Sequence, residues 1–129
     1  MIQPRILVVD DDPKLSGVVR IFLEKTHRYQ VRVENRSSQA LAVAREFRPD
    51  VVLLDVDMPG KDGGEVAREM MRTAGIPGSA ILFLTSLVSP TEAGDGTVMR
   101  GGMRFLAKPV NQRVLVDAVD QVLAGRITN

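Results

Sequence analysis

The sequence contains no cysteine, which excludes disulfide frameworks and thiolate metal sites and suits the reducing cytosol. It has no apolar run of membrane-spanning length, so no membrane-embedded segment is expected. The opening Met1-Ile2-Gln3-Pro4-Arg5 moves straight into an apolar stretch and leaves no room for a secretory leader. A dominant charge of either sign is missing as well. Seventeen Lys+Arg stand against sixteen Asp+Glu, for a formal net charge of +1, and that balance argues against a dedicated nucleic-acid binder, which would carry a basic stripe. Linkers, low-complexity tracts and internal repeats are also absent. The expectation is a cytoplasmic protein that touches neither nucleic acid nor membrane directly.

With 129 residues, 44% of them hydrophobic and 26% charged, the chain has enough apolar material for one folded domain over 1–129. The organising stretch is Val51–Gly60. Val51-Val52-Leu53-Leu54 reads as a strand buried on both faces, the kind found in parallel sheets, and it stops at the carboxylate of Asp55. Pro59-Gly60 and Asp62-Gly63-Gly64 then force a loop.

Other apolar strands are expected at Arg5–Val9, Ala80–Leu84 and Phe105–Ala107, with a half-exposed edge strand at Tyr29–Glu34. Asp12-Pro13 opens a first helix whose inner face is Leu15, Val18, Val19, Phe22 and Leu23. Ser37 or Ser38 is expected to cap a second helix, Glu65–Thr73 forms a third, and Asn111 caps a last one closed by Gly125. Leu87–Gly102 holds Pro90, Gly94, Gly96, Gly101 and Gly102, so a fourth helix there is short or frayed. Alternating strands and helices predict an open parallel sheet with helices on both faces. Such folds bind ligands along the edge where the strands end. There the sequence places Asp10-Asp11, Asp55, Thr85 and Lys108.

Three carboxylates converging at one edge repel one another unless a cation joins them. With only oxygen ligands at hand the cation is a hard one, and Mg²⁺ needs one or two carboxylates beside waters and phosphate. Asp11 and Asp55 are the direct ligands in this reading and Asp10 acts through water. Lys108 offers a fixed positive charge to a phosphoryl oxygen and Thr85 a hydroxyl to another. Positioning and charge neutralisation are most of what phosphoryl transfer needs. Asp55 is thus the candidate nucleophile, forming an acyl phosphate.

These residues carry a resemblance that spans essentially the whole chain. Val8-Val9-Asp10-Asp11-Asp12, Leu54-Asp55-Val56-Asp57-Met58-Pro59-Gly60 with Asp62-Gly63, Thr85-Ser86, and Phe105-Leu106-Ala107-Lys108-Pro109 resemble the receiver domain of two-component response regulators. The resemblance implies a flavodoxin-like α/β fold, a doubly wound five-stranded parallel sheet of order 2-1-3-4-5 with five helices. It implies phosphorylation of Asp55 by a sensor histidine kinase or histidine phosphotransfer protein with Mg²⁺. The metal would lie on Asp10, Asp11, Asp55 and the backbone carbonyl of Asp57. Thr85 and Lys108 would hold the phosphate, and Lys108-Pro109 would be cis. Thr85 and Phe105 would form the switch, acting on a surface of helix 4, strand 5 and helix 5 that binds a downstream effector or forms a homodimer. The resemblance implies a phosphoacceptor that promotes only its own phosphotransfer and dephosphorylation. Asp57 and Leu87 flank the route of water to an acyl phosphate, so their substitution should alter its lifetime.

Blander assignments remain for some positions. Asp12 reads as a helix cap, His27 as a surface residue, and the methionines as core filler. Gly63-Gly64 and Gly101-Gly102 read as turn formers without a P-loop pattern. A rival from another class is a haloacid-dehalogenase-type phosphohydrolase with Asp55-Val56-Asp57 as its Asp-x-Asp motif and Asp57 as general acid. The position of Asp10 far upstream and the lack of a cap domain count against it. A third alternative is a receiver-like module that binds partners without phosphorylation.

Overall fold

The computed structural model describes residues 3–58, 62–86 and 97–127, with side chains to residue 125. Among the described residues the sheet holds five parallel strands, β1 (Arg5–Val9), β2 (Gln30–Glu34), β3 (Val51–Asp55), β4 (Ile81–Thr85) and β6 (Met103–Ala107), with a short β5 (Val98–Arg100) just ahead of β6 in the chain. Their spatial order is β2-β1-β3-β4-β6-β5. The half-exposed alternation of Tyr29–Glu34 is explained by its place at the sheet edge. Tyr29 itself lies just before β2 and donates its hydroxyl to Asp120 at 2.5 Å.

Side chains alternate between the two faces with the two-residue period of a strand. Leu7, Val9, Val52, Leu54, Ile81 and Phe83 face α2 (Ala40–Phe47) and α3 (Gly63–Thr73). Ile6, Val8, Val51, Leu53, Leu82 and Leu84 face α1 (Pro13–Glu24) and α4 (Gln112–Ile127). Every residue of β3 is buried, since helices cover both of its faces. The doubly wound α/β arrangement expected from the sequence is therefore observed. Among the described residues, no helix is long and apolar enough to cross a membrane.

The sheet has a sixth strand, which corrects the five-stranded expectation. β5 (Val98–Arg100) pairs antiparallel with β6, Val98 opposite Phe105 and Arg100 opposite Met103. Gly101 and Gly102 join them at φ 58 and 79, the left-handed pair that a two-residue type I′ hairpin requires. The glycines that weaken a helix here build a turn instead. Residues 87–96, on which the rest of the expected fourth helix falls, lie outside the described residues. The described helices number four, not five.

Several boundaries differ for local reasons. Asp12 caps α1, accepting from the Lys14 and Leu15 amides at 3.0 and 3.5 Å, but Val18 turns outward and is 43% exposed, so the inner face is narrower than expected. No serine caps α2. Ser37–Gln39 form a 3₁₀ turn that leads into it without a side-chain cap. Asn111 caps α4 by accepting from Val114 N–H at 2.9 Å, and that helix runs through Gly125 to Ile127.

Candidate functional site

The strand order reverses beside β1 and β3, and their carboxyl ends define the crevice. Asp10, directly after β1, is fully buried, and Asp55, the last residue of β3, is 2% exposed. Oxygens of Asp10, Asp11 and Asp55 all lie within 4.8 Å of one another. Lys108, carried just past β6, brings its Nζ to 2.7 Å from Asp55 Oδ1. The main chain holds it there: Lys108 N–H donates to the Thr85 carbonyl at 2.9 Å, and the Lys108-Pro109 peptide is cis. Thr85 ends β4 and is 1% exposed.

Asp10 and Asp55 each have one oxygen engaged by the main chain two residues on. Asp12 N–H donates to Asp10 Oδ1 at 2.9 Å, and Asp57 N–H to Asp55 Oδ1 at 3.1 Å. Asp10 Oδ2 is buried without a hydrogen-bond partner among the described residues. The Asp10 carboxyl is pushed up to about 6, chiefly by burial and then by the adjacent Asp55, with Asp12 N–H and the Lys108 charge opposing the rise. A buried carboxylate oxygen aimed at other carboxylates needs a shared proton or a cation. The donor set contains only hard oxygens, so it fits Mg²⁺ better than a soft or imidazole-preferring metal. Burial alone would lower the Lys108 ammonium, but contact with Asp55 and the nearby Asp10 and Asp57 charges outweigh it and hold it raised and protonated.

The sequence-predicted residues do not all gather equally. Asp10, Asp11, Asp55 and Lys108 form one cluster, with Thr85 at the neighbouring strand end. Asp57 contributes its N–H to Asp55, while its own exposed carboxylate accepts from Ser86 Oγ at 3.4 Å. Phe105 lies over the α2–α3 side of the sheet, stacked on Phe83 with ring centroids 5.0 Å apart and planes 21° from parallel. Leu87 lies outside the described residues.

Two contributors escaped the sequence reading. Gly63 is the first residue of α3, not a turn former, and Asp62 caps that helix by accepting from Glu65 N–H at 2.9 Å. A Cβ on Gly63 would lie 2.5 Å from the Asp55 carbonyl oxygen, so glycine lets the helix start close against the end of β3. Its adjacency to Asp62 in a capping pattern was the available signal. Asn35, at the exit of β2, donates from Nδ2 to the Asp10 carbonyl at 2.7 Å and to Ser16 Oγ at 2.9 Å. Nothing in its spacing marked it.

Residues 6–120 match the family model described as response regulator receiver domain. The chain is 34% identical over 121 residues to protein PilH of Pseudomonas aeruginosa, covering 94% of this chain and 98% of PilH. It is 37% identical over 115 residues to the DNA-binding response regulator MtrA of Mycolicibacterium smegmatis, covering 89% of this chain but only 48% of MtrA. Among solved structures, chemotaxis protein CheY4 of Vibrio cholerae superposes with a TM-score of 0.76 at 29% identity, over 95% of this chain and all 100% of that one. The signal receiver domain of a LuxO repressor protein from Vibrio parahaemolyticus shares the fold with a TM-score of 0.80 at 23% identity, over 98% of this chain and 95% of that one.

Proposed function

The chain belongs to the response regulator receiver domain family of two-component signalling, and from that premise we propose that it is a phosphoacceptor whose acceptor is Asp55. The observation that carries this reading is the 2.7 Å contact between Lys108 Nζ and an Asp55 carboxylate buried beside Asp10 and Asp11.

The donor is a phosphohistidine on a sensor histidine kinase or histidine phosphotransfer protein. An Asp55 oxygen attacks the phosphorus, the bond from phosphorus to the imidazole nitrogen breaks, and the histidine leaves with the electron pair. The product is an acyl phosphate on Asp55. Asp10, Asp11, Asp55 and the Asp57 backbone carbonyl would hold Mg²⁺, which when bound neutralises the carboxylates and the charge on the transferring oxygens. Lys108 releases one contact with Asp55 to bind a phosphoryl oxygen, and the Thr85 hydroxyl binds another. Both act by charge and position, so the chain promotes its own phosphotransfer and hydrolysis and turns over no separate substrate.

The readout follows from the same edge. Recruitment of Thr85 toward the phosphoryl group lets Phe105 leave its stack on Phe83 and turn inward. That movement changes the surface of β6 and α4, where a downstream effector or a second copy binds. Any effect on nucleic acid runs through such a partner, in the cytoplasm. The test is incubation with acetyl phosphate and Mg²⁺. A mass gain of one phosphoryl group that is lost with hydroxylamine and absent in Asp55→Asn is expected. Turnover of a phosphomonoester without stable label would overturn the reading, as would partner binding that ignores both Mg²⁺ and Asp55.

A further inference from the structure

We infer that Asn35 is a positioning residue for the cation held by Asp10 and Asp11, an assignment that rests on the reading of that cluster as a Mg²⁺ site. Its amide nitrogen has two hydrogens, and both are used: one meets the Asp10 carbonyl at 2.7 Å and the other Ser16 Oγ at 2.9 Å. A carbonyl acceptor demands a donor, so this orientation of the amide is the only one that fits. Ser16 is 1% exposed and donates onward to the Pro13 carbonyl at 3.3 Å. One side chain thus ties together the exit of β2, the end of β1 and the first turn of α1.

The consequence lies in the peptide that links Asp10 to Asp11. Its oxygen is the Asp10 carbonyl gripped by Asn35, so the plane of that peptide, and with it the directions in which the two side chains leave the backbone, is set from across the sheet edge. Asp10 is already fixed at its other end by Asp12 N–H on Oδ1, and the backbone Asp10 N–H donates to the Glu34 carbonyl at 3.2 Å. Asn35 adds a restraint on a further rotation, that of the Asp10-Asp11 peptide. Without it, bringing Asp10 Oδ2 and an Asp11 oxygen to the same side of Asp55 requires ordering the turn at the moment the ion binds. Groups that orient metal ligands characteristically alter affinity about 10–100-fold when removed.

The experiment is a calorimetric titration of the full chain with MgCl₂, well below the unfolding temperature, for wild type, Asn35→Ala, Ser16→Ala and the double variant. Thermal midpoints without metal are recorded alongside. Asn35→Ala is expected to weaken Mg²⁺ binding about tenfold, and labelling by acetyl phosphate should recover when Mg²⁺ is raised in proportion. Ser16→Ala should lose less, and the double variant no more than Asn35→Ala alone, because both act through one linkage. A merely structural role would lower the midpoint while leaving the affinity of the folded protein unchanged, and that result would overturn the inference without touching the site reading. Should Asn35→Ala fail to fold, wild-type affinity in Ser16→Ala would overturn it too. Absence of Mg²⁺ binding by wild type would remove the site reading itself, and the inference with it.

Discussion

Lys108 and Asp55 form an ion pair at 2.7 Å in which the carboxylate side chain is 2% exposed and the lysine 20%. The pair joins the ends of two strands that are not neighbours, since β4 lies between β3 and β6. Removing the cation leaves a buried carboxylate beside two others. Lys108→Met is expected to lower the stability of the metal-free protein at pH 7 by about 1–3 kcal/mol. The loss should shrink when Mg²⁺ is added, because the ion supplies the missing positive charge. Urea unfolding with and without Mg²⁺ measures both. An undiminished loss in Mg²⁺ would show that the ion does not sit against Asp55.

Asp10 gives the opposite sign. Its carboxyl is raised to about 6 in the folded protein against an ordinary value of 3.8. The folded state therefore binds more protons than the unfolded one between those values. The contribution of Asp10 favours folding at low pH and declines as pH climbs through this window, leaving a penalty that is complete above about 6. Asn at this position keeps an oxygen for Asp12 N–H and carries no charge. Asp10→Asn should stabilise the metal-free protein by about 1–3 kcal/mol at pH 7 and by little at pH 4, and it should abolish the stabilisation by Mg²⁺. Wild-type-minus-variant unfolding energies at the two pH values cancel the other titrating groups. A gain equal at both would show that packing, not ionisation, is responsible.

Gly63 and Gly17 make a contrasting pair. A Cβ on Gly63 meets the Asp55 carbonyl oxygen at 2.5 Å and Val56 Cα at 3.0 Å, both backbone, whereas one on Gly17 within α1 meets nothing within 4 Å. Gly63→Ala is expected to cost about 1–3 kcal/mol and to slow labelling of Asp55, because the strain falls on the acceptor's own backbone. Gly17→Ala should stabilise by about 0.5–1 kcal/mol through helix propensity, with labelling unchanged. Denaturation midpoints and acetyl phosphate labelling of both variants provide the check.

The strands were legible because burial on both faces writes itself as unbroken apolar runs, and Arg5–Val9 and Val51–Asp55 end where the sequence says they end. The gathering of the charged cluster was legible because each polar group follows such a run directly: Asp10 after Val9, Asp55 after Leu54, Lys108 after Ala107. What escaped depends on contacts distant in sequence or on backbone conformation. Gly63 reads as a turn until the Asp55 carbonyl is seen against it, and the 24 residues between Asp10 and Asn35 hide a hydrogen bond. Gly101-Gly102 read as turn formers and are so, but the strand Val98–Arg100 that they join to β6 shows only in the pairing of Met103 with Arg100. Val18 follows the apolar period of α1 but lies at the margin of its buried stripe, where one step of 100° carries a side chain into solvent.

Asp57 sits at the mouth of the site, exposed, with its N–H on Asp55 and its carboxylate near Ser86 Oγ at 3.4 Å. In the proposed cycle, hydrolysis of an acyl phosphate on Asp55 would bring water to the phosphorus, break the bond to the Asp55 oxygen and return the carboxylate and inorganic phosphate. A carboxylate two residues from the acceptor can take a proton from that water, whereas Ser86 is placed to hold the same carboxylate aside. Proton acceptance is expected to dominate, so that Asp57→Asn lengthens the life of the phosphorylated form by about threefold or more, a modest share of what a well-placed base supplies. Ser86→Ala, which frees the carboxylate, should shorten it. Decay of labelled protein after removal of acetyl phosphate, followed in both variants at saturating Mg²⁺, separates these effects from metal binding. Equal decay in all three proteins would mean that neither group touches the water's path, and the lifetime would then have to be set from the other side of the crevice.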